Sequence, residues 1–328
     1  MSQIEPPSGP SPHRCAVQWM GWAWLAIAAI ASIDIIWLQA TPLSLSQQSR
    51  MAIASTLSIS ALCHIFSRKF DGDNRIGVLL SSASIMLVAW PALRLFNHVT
   101  MANSLPFADG MLSRWDGAIG FDWLAYILWV DRNVVLQDLM ALSYGALDAY
   151  TAILFLILVF GTDARRKCEE LIRLFLATAI AAMAIGAFFS AEAAMTYYAP
   201  PGELFQRFSS RTGAYHLEHL YALRLNPEHV LDISDLPGLV TFPSFHTAMG
   251  VIAIYCGRGS WPVFVSMVVI NGLMIASTPV FGSHYAVDVV AGAGLAMCMI
   301  ALHRRFVDRS DSHVRTADGL VTMQPSPG

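Results

Sequence analysis

The chain has 328 residues, of which 55% are hydrophobic and only 13% are charged, with a mean hydropathy of +0.52. Soluble globular domains carry about a quarter charged residues, so this composition excludes an ordinary soluble fold. The formal net charge of −3 comes without a clustered basic face, which argues against a nucleic-acid partner. The apolar residues fall into runs of about 18 to 25, the length that an α-helix needs to cross a bilayer. We therefore predict an all-α, polytopic membrane protein.

Apolar runs separated by polar segments divide the chain. We predict eight transmembrane helices, at residues 15–38, 51–66, 76–96, 136–160, 171–191, 246–256, 261–278 and 285–302. Residues 97–133 interleave acidic and aromatic side chains, a pattern typical of an amphipathic segment at the membrane surface. Residues 192–241 form a long polar loop. Residues 1–14 and 303–328 are predicted to be disordered cytoplasmic tails, because they cannot bury enough apolar surface.

The basic residues predict the orientation in the membrane. With the amino terminus inside, twelve lysines and arginines fall in inner loops and tails, against seven in the much longer outer segments. Because short cytoplasmic loops are enriched in lysine and arginine, we predict that both termini are cytoplasmic. Residues 97–133, residues 192–241 and the two histidine motifs described next would then face the periplasm or a lumen.

Two polar motifs begin neighbouring predicted helices. The first is Pro-Ser-Phe-His at residues 243–246, and the second is Gly-Ser-His-Tyr-Ala-Val-Asp at residues 282–288. Two apolar runs between them take the chain across the bilayer and back, so His246 and His284 are predicted to reach the same membrane face. Ser244 is a candidate N-cap, and the free backbone N–H groups at that helix start form a candidate phosphate cradle.

The residue types in these motifs favour phosphoryl transfer. His284 and Asp288 are four positions apart at a helix start, so their side chains share a face and can hydrogen-bond. A carboxylate on one imidazole nitrogen fixes the tautomer and leaves the other nitrogen as a nucleophile. His246 is then the candidate acid for the departing oxygen. Either histidine alone would more often be a packed polar residue, but their joint occurrence on one predicted face favours a catalytic site.

Both motifs resemble signatures of the type 2 phosphatidic acid phosphatase superfamily. Residues 243–246 match Pro-Ser-x-His, and residues 277–288 keep the spacing of Ser-Arg-x5-His-x3-Asp. The resemblance implies that His284 forms a phosphohistidine, that Asp288 orients it and that His246 is the acid. It also implies a six-helix catalytic core, here residues 76–302, with two additional helices and their loop in front at residues 15–75.

Basic residues of the superfamily signatures are absent from this chain. Thr278 stands where the second of these motifs has an arginine, and residues 192–200, where a Lys-x6-Arg-Pro signature would fall, contain no lysine or arginine. This pattern is similar to the inositol phosphorylceramide synthase branch and its bacterial relatives, as are the front helices and the Trp-Asp and Phe-Asp-Trp sequences at 115–116 and 121–123. That similarity implies sphingolipid metabolism and a bacterial inner-membrane location.

Other residues must supply the counter-charge that a phosphate needs in a low-dielectric site. The candidates for binding the substrate phosphate, together with Ser244, are the basic residues of the long outer loop: Arg207, Arg211 and Arg224, with His216 and His219 as weaker candidates. For each arginine the alternative is an ordinary solvated loop charge.

Charged residues inside apolar runs are costly and usually face a bundle interior, and here they are Asp34, Arg94, Asp148 and Arg173. Asp148 and Tyr285 are candidates for a headgroup pocket, and Asp148 could instead pair with Arg94. We expect no cofactor, and no metal either, because beyond the His–His–Asp set no cluster has ligand spacing.

We therefore predict a membrane enzyme that takes a phospholipid donor and transfers the phosphate-containing headgroup to a lipid acceptor. The alternative is a lipid phosphate phosphatase of the phosphatidic acid or polyprenyl phosphate type, with water as acceptor. Two further classes remain open: a transporter that uses Asp34, Arg94 and Asp148 as a path, and a non-catalytic scaffold.

Overall fold

A computed structural model describes residues 12–70, 74–103, 105–209, 211–226 and 228–321, with side chains between residues 21 and 305. Within these ranges the chain forms thirteen α-helices and a single pair of two-residue strands, which confirms the predicted all-α class. The helices are α1 (Pro12–Ala40), α2 (Gln47–Ser67), α3 (Arg75–Met101), α4 (Asp109–Ala118), α5 (Trp123–Asp131), α6 (Val134–Gly145), α7 (Leu147–Phe160), α8 (Ala164–Gly186), α9 (Ala194–Tyr198), α10 (Leu217–Leu225), α11 (Phe245–Cys256), α12 (Trp261–Phe281) and α13 (Ala286–Val321). The strands β1 (Ser44–Leu45) and β2 (Val230–Leu231) pair in parallel.

Six segments of the described chain can cross a membrane by length and composition. Five are single helices, α1, α2, α3, α12 and α13, and the sixth is the pair α6–α7, which is bent by 58°. The remaining two predicted spans are helical but do not meet the same criterion. Helix α8 carries six charged residues in its first ten positions, and α11 is only 12 residues long. The prediction of eight spans is thus supported for six of them.

The predicted boundary of the carboxy-terminal tail is wrong. Helix α13 continues to Val321, so most of the tail predicted to be disordered at 303–328 is helical. No proline interrupts residues 303–321 and extending an existing helix adds one hydrogen bond per residue, so the helix does not stop at the end of the apolar run. The other predicted tail, residues 1–14, lies almost entirely outside the described residues, and residues 322–328 lie outside them as well.

The predicted span at 136–160 is broken where it was expected to be continuous. Helix α6 ends at Gly145 and α7 begins at Leu147, on either side of Ala146. Glycine is a weak helix former, and sharp bends concentrate at such residues. The bend places Tyr144 and Asp148 at the end of the bundle where the two histidine motifs lie.

Helix α11 lies in the centre of the bundle, in contact with α7, α8, α12 and α13. Small and branched side chains along it, Ala248, Ile252 and Ala253, are fully buried. They belong to an apolar core that also includes Leu154, Leu174, Met274 and Ala296 of the surrounding helices. This packing fixes the first turn of α11, which carries His246, against the start of α13.

The start of α13 approaches α11 so closely that only glycine fits between them. A Cβ atom on Gly292 would collide with the backbone carbonyl of Ser244 and would lie 3.2 Å from the Cβ of Thr247. The backbone N–H of Ser244 donates to the carbonyl of Asp288 at 3.0 Å, one turn before the glycine. The two motifs of the sequence are therefore joined through their main chains.

This close approach predicts that Gly292→Ala strongly destabilises the protein. The added methyl group meets backbone, which cannot rotate away, so α11 and α13 must separate at a cost of about 1–3 kcal/mol. Gly294→Ala is the matched control, because a Cβ there meets nothing within 4 Å. Thermal unfolding in detergent should show a lower Tm for Gly292→Ala and an unchanged or slightly raised Tm for Gly294→Ala. Equal Tm values for the two variants would contradict this packing.

Candidate active site

The hydrogen bond predicted between His284 and Asp288 is present. Nδ1 of His284 lies 3.1 Å from Oδ2 of Asp288, and that oxygen also accepts from the backbone N–H of Tyr285 at 3.0 Å. His284 is 4% exposed and Asp288 is fully buried, so no water competes for the bond. With Nδ1 acting as donor to the carboxylate, the lone pair of His284 is on Nε2.

Nε2 of His284 points toward the start of α11. It lies 3.5 Å from Oγ of Ser244. Ser244 is the N-cap predicted from the sequence, since its Oγ accepts from the backbone N–H of Thr247 at 3.3 Å. Burial lowers the pKa of His284, which lies in the loop between α12 and α13, so its ring is neutral and Nε2 can act as a nucleophile.

His246 and His284 line the same cavity, which has a volume of about 350 Å³. The sequence prediction that both histidines reach one face of the membrane requires them to lie this near each other. The ring of Tyr144 stacks on His246, with centroids 4.5 Å apart and planes at 13°. Gly282 separates Tyr144 from His284, because a Cβ at that position would lie 2.7 Å from Oη of Tyr144 and 2.6 Å from Cδ2 of His284. Two imidazoles and one phenol thus converge on a space large enough for a lipid headgroup.

The cavity has both polar and apolar lining residues. The polar ones include Arg94, Asn97, Asp148 and His216. The apolar wall is formed by side chains of α3, α8 and α11: Met86, Leu93, Phe175, Ala179, Met183 and Phe245. Residues 86 to 97 of α3 cover roughly 16 Å along the helix axis, so the cavity extends well into the bundle.

The loop that carries His284 is held in a strained conformation. Ser283 has a φ of +51°, in the left-handed region that L residues with a Cβ rarely adopt. Its carbonyl accepts from the N–H of Ala194 at 2.9 Å, and its Oγ accepts from the N–H of Met195 at 2.8 Å. Helix α9 therefore positions the loop of His284. This helix lies within residues 192–200, where the superfamily's Lys-x6-Arg-Pro signature would fall.

Three aspartates from residues 97–133 bind backbone N–H groups around the site. Asp116 accepts from Ala286 and Val287 at 3.0 and 2.9 Å and so caps α13, the helix of Asp288. Asp109 accepts from the backbone N–H groups at 192 and 193 and from the hydroxyl of Tyr285 at 2.9 Å. The predicted amphipathic segment thus supports the two histidine motifs through its acidic residues.

The third aspartate, Asp131, fixes the outer loop. It accepts from the backbone N–H groups of residues 206, 207 and 208. Burial would raise the pKa of Asp131, but these three bonds and nearby Arg132 hold it below its ordinary value. The carboxylate therefore stays charged at neutral pH and orders this part of the loop.

The predicted phosphate-binding arginines lie away from the cavity. Arg207 is exposed and forms an ion pair with Asp138 at 3.3 Å. Arg224 donates to the carbonyls of Met101 and Leu105. Arg211 lines a separate depression on the outer loop. The sequence places these residues only in a loop, and the backbone contacts of that loop direct them elsewhere.

Tyr285, predicted to line a headgroup pocket, is fully buried behind His284 and does not border the cavity. Asp148, the other headgroup candidate, does line it. Thr278 is buried and its Oγ1 donates to the carbonyl of Ile275 at 2.8 Å, so it does not replace the missing arginine. Ser244 caps α11, and its Oγ lies 3.5 Å from Nε2 of His284, but it is not among the residues that line the cavity.

Two polar residues that line the cavity, Arg94 and His216, were not among the principal phosphate-binding candidates of the sequence. Arg94 is the only arginine or lysine among the described residues that line the cavity. The position of Arg94 inside an apolar run was the sequence feature that indicated a place in the bundle interior. His216 also lines the cavity, and burial lowers its pKa to about 4, although its Nε2–H donates to the carbonyl of Glu192 at 3.1 Å. Among the described side chains, no group of three or more His, Cys, Asp or Glu is arranged to hold a metal ion.

Fold and site together define a helical membrane protein with paired histidines and an aspartate at one end of the bundle. The family model of the PAP2 superfamily matches residues 110–302, more than half of the chain, so the chain belongs to the PAP2 superfamily. Its members are generally phosphatases or phosphotransferases. No curated protein and no solved structure matches this chain. The resemblance seen in the motifs is thus confirmed at the level of the superfamily.

The cap on α13 gives a test of how the site is supported. Asp116→Asn leaves one acceptor oxygen for two backbone donors, so one partly buried N–H loses its partner at a cost of about 1 kcal/mol. We expect faster hydrogen exchange at residues 286 and 287 and a lower Tm. Asp122→Asn is the control, since Asp122 is exposed and accepts from one N–H only, that of Ala125. Unchanged exchange in Asp116→Asn would show that the cap does not hold the helix.

Proposed function

We propose that this protein is a lipid phosphotransferase that works through a phosphohistidine on His284. The observation that carries the proposal is the orientation of the His284 ring. Its Nδ1 bonds to buried Asp288, which leaves Nε2 as a neutral nucleophile beside a cavity that His246 also lines. Membership of the PAP2 superfamily supports the same reaction class.

In the first step, Nε2 of His284 attacks the phosphorus of a lipid phosphate ester. A P–N bond forms as the P–O bond to the leaving alcohol breaks, and His246, in its protonated imidazolium form, gives a proton to the departing oxygen and becomes neutral. Asp288 stabilises the charge that develops on the His284 ring. In the second step an acceptor hydroxyl loses its proton to His246 and attacks phosphorus, and the P–N bond breaks to restore His284.

The shape of the cavity favours a lipid over a soluble phosphate ester. Its apolar side chains on α3 and α8 can accommodate the first methylenes of an acyl or isoprenoid chain, while its polar side chains bind the phosphate and headgroup. Asp148 can accept hydrogen bonds from headgroup hydroxyl or amine groups. A lipid would enter sideways from the bilayer, where its tail remains in hydrocarbon.

For the acceptor we favour a second lipid hydroxyl over water. The basis is the resemblance to the inositol phosphorylceramide synthase branch, which also lacks the flanking basic residues. A phosphatase of the phosphatidic acid or polyprenyl phosphate type is the alternative outcome. The distribution of basic residues supports cytoplasmic termini and a site at the periplasmic or lumenal face of an inner membrane.

The proposal predicts turnover of a labelled phospholipid by the purified protein in lipid nanodiscs. A panel of donors with labelled headgroup phosphate is incubated with and without ceramide or diacylglycerol, and the products are separated by chromatography. We expect label in a new lipid for a transferase and free phosphate for a phosphatase. His284→Ala should lower turnover at least about 10³-fold, and His246→Ala about 10²- to 10⁴-fold.

His229→Ala is the control for loss of an outer-loop histidine, because His229 does not line the cavity. It should retain wild-type turnover. If a solute crosses the membrane and this flux survives His284→Ala, the transporter alternative is favoured. Of the three charged residues named for that alternative, Arg94 and Asp148 line the cavity and Asp34 does not. Absence of product from every donor would contradict the catalytic proposal and favour the scaffold.

A further inference from the structure

The cavity needs a cation for a phosphate, and the superfamily signatures of this chain do not supply one. Thr278 is bonded within its own helix, residues 192–200 contain no basic side chain, and the arginines of the outer loop lie elsewhere. Building on the proposed function, we propose that Arg94 of α3 binds the substrate phosphate in front of His284. Helix α3 precedes residues 110–302, the part of the chain that the family model matches.

Arg94 is held in place by contacts that leave part of its guanidinium available. Its Nη1 donates to the carbonyls of Leu236 at 2.8 Å and Ile233 at 3.3 Å. The guanidinium carbon lies 5.0 Å from the ring centroid of Trp90, one turn earlier on α3. Among the described residues, no group accepts a hydrogen bond from Nε or Nη2. These two nitrogens form the edge with which arginine binds a phosphate in a bidentate manner.

The outer loop and α3 are fixed together at this point. Asn97, one turn after Arg94, accepts from the backbone N–H of Leu239 at 2.8 Å. Residues 236–238, 240 and 241 of the loop line the same cavity as His246 and His284. The guanidinium is therefore preorganised by its backbone partners and loses little side-chain entropy when an anion binds.

Arg94 donates to backbone carbonyls and forms no ion pair within the described part of the chain, so its charge is available to an anionic ligand. Asp148 also lines the cavity, but no ion pair joins it to Arg94 among the described residues. The ion pair between Asp148 and Arg94, which the sequence analysis gave as an alternative, is therefore not present. A phosphate between Arg94 and His284 would receive the counter-charge, and Asp148 would remain available to the rest of the headgroup.

The proposal is tested with orthovanadate, a phosphate analogue, through its effect on the Tm of the purified protein. A ligand that binds only the folded state stabilises it by RT ln(1 + [L]/Kd), so Tm rises once the vanadate concentration exceeds Kd, and no lipid substrate is needed. Charged hydrogen bonds contribute enough that Arg94→Gln should raise the vanadate concentration needed for a given Tm shift by about 10- to 100-fold. KM for the lipid donor should rise alongside.

Arg132→Gln is the matched control, because Arg132 is an exposed arginine outside the cavity and loses the same charge. It should bind vanadate like the wild type. Arg211→Gln tests the earlier loop candidate and should behave like the control. If Arg94→Gln binds vanadate as the wild type does, or if Arg211→Gln alone weakens binding, the proposal is wrong.

Arg94→Lys covers the case in which Arg94→Gln does not fold. Its ammonium group can still donate to the two loop carbonyls, but it cannot offer a bidentate edge, so we expect vanadate affinity to fall about 3- to 10-fold. Unchanged affinity in Arg94→Lys would count against the proposal. If vanadate binding depends on Arg94 but no lipid is turned over, the anion site is supported and only the proposed function is contradicted.

Discussion

The contact between the start of α11 and the start of α13 is the constraint on which the site depends. Gly292 permits it, and the hydrogen bond from the N–H of Ser244 to the carbonyl of Asp288 fixes its register. Two motifs about 40 residues apart in sequence thereby share one space, and His246 comes to face His284. The hairpin of α11 and α12 only has to return the chain to the same end of the bundle for this to occur.

Support for this contact comes from parts of the chain that touch no substrate in our account. Asp116 caps α13, and helix α9 binds the strained loop at Ser283 through backbone and side-chain oxygens. The break after α6 adds Tyr144, whose ring packs on His246. Irregular backbone within membrane helices is tolerated where it lines a cavity, and the bend between α6 and α7 is such a place.

The sequence alone could predict the features that depend on local spacing. Apolar runs identified the membrane helices, the four-residue spacing predicted the bond between His284 and Asp288, and the serine before His246 was recognised as an N-cap. Features that depend on contacts across the fold could not be predicted. The direction of Arg207 follows from its pairing with Asp138, and the place of Arg94 follows from loop carbonyls about 140 residues away. A periodic pattern carries no information about either contact.

The central claim, that Nε2 of His284 is the nucleophile, is tested most directly by trapping the phosphorylated protein. Wild-type protein would be mixed with a donor labelled in its headgroup phosphate, quenched in alkali and digested, and the modified residue and ring nitrogen identified by mass spectrometry and NMR. We predict phosphate on Nε2 of His284, with Nδ1 protected by its bond to Asp288. Phosphate on Nδ1 or on another residue, or turnover without any phosphorylated protein, would contradict the account.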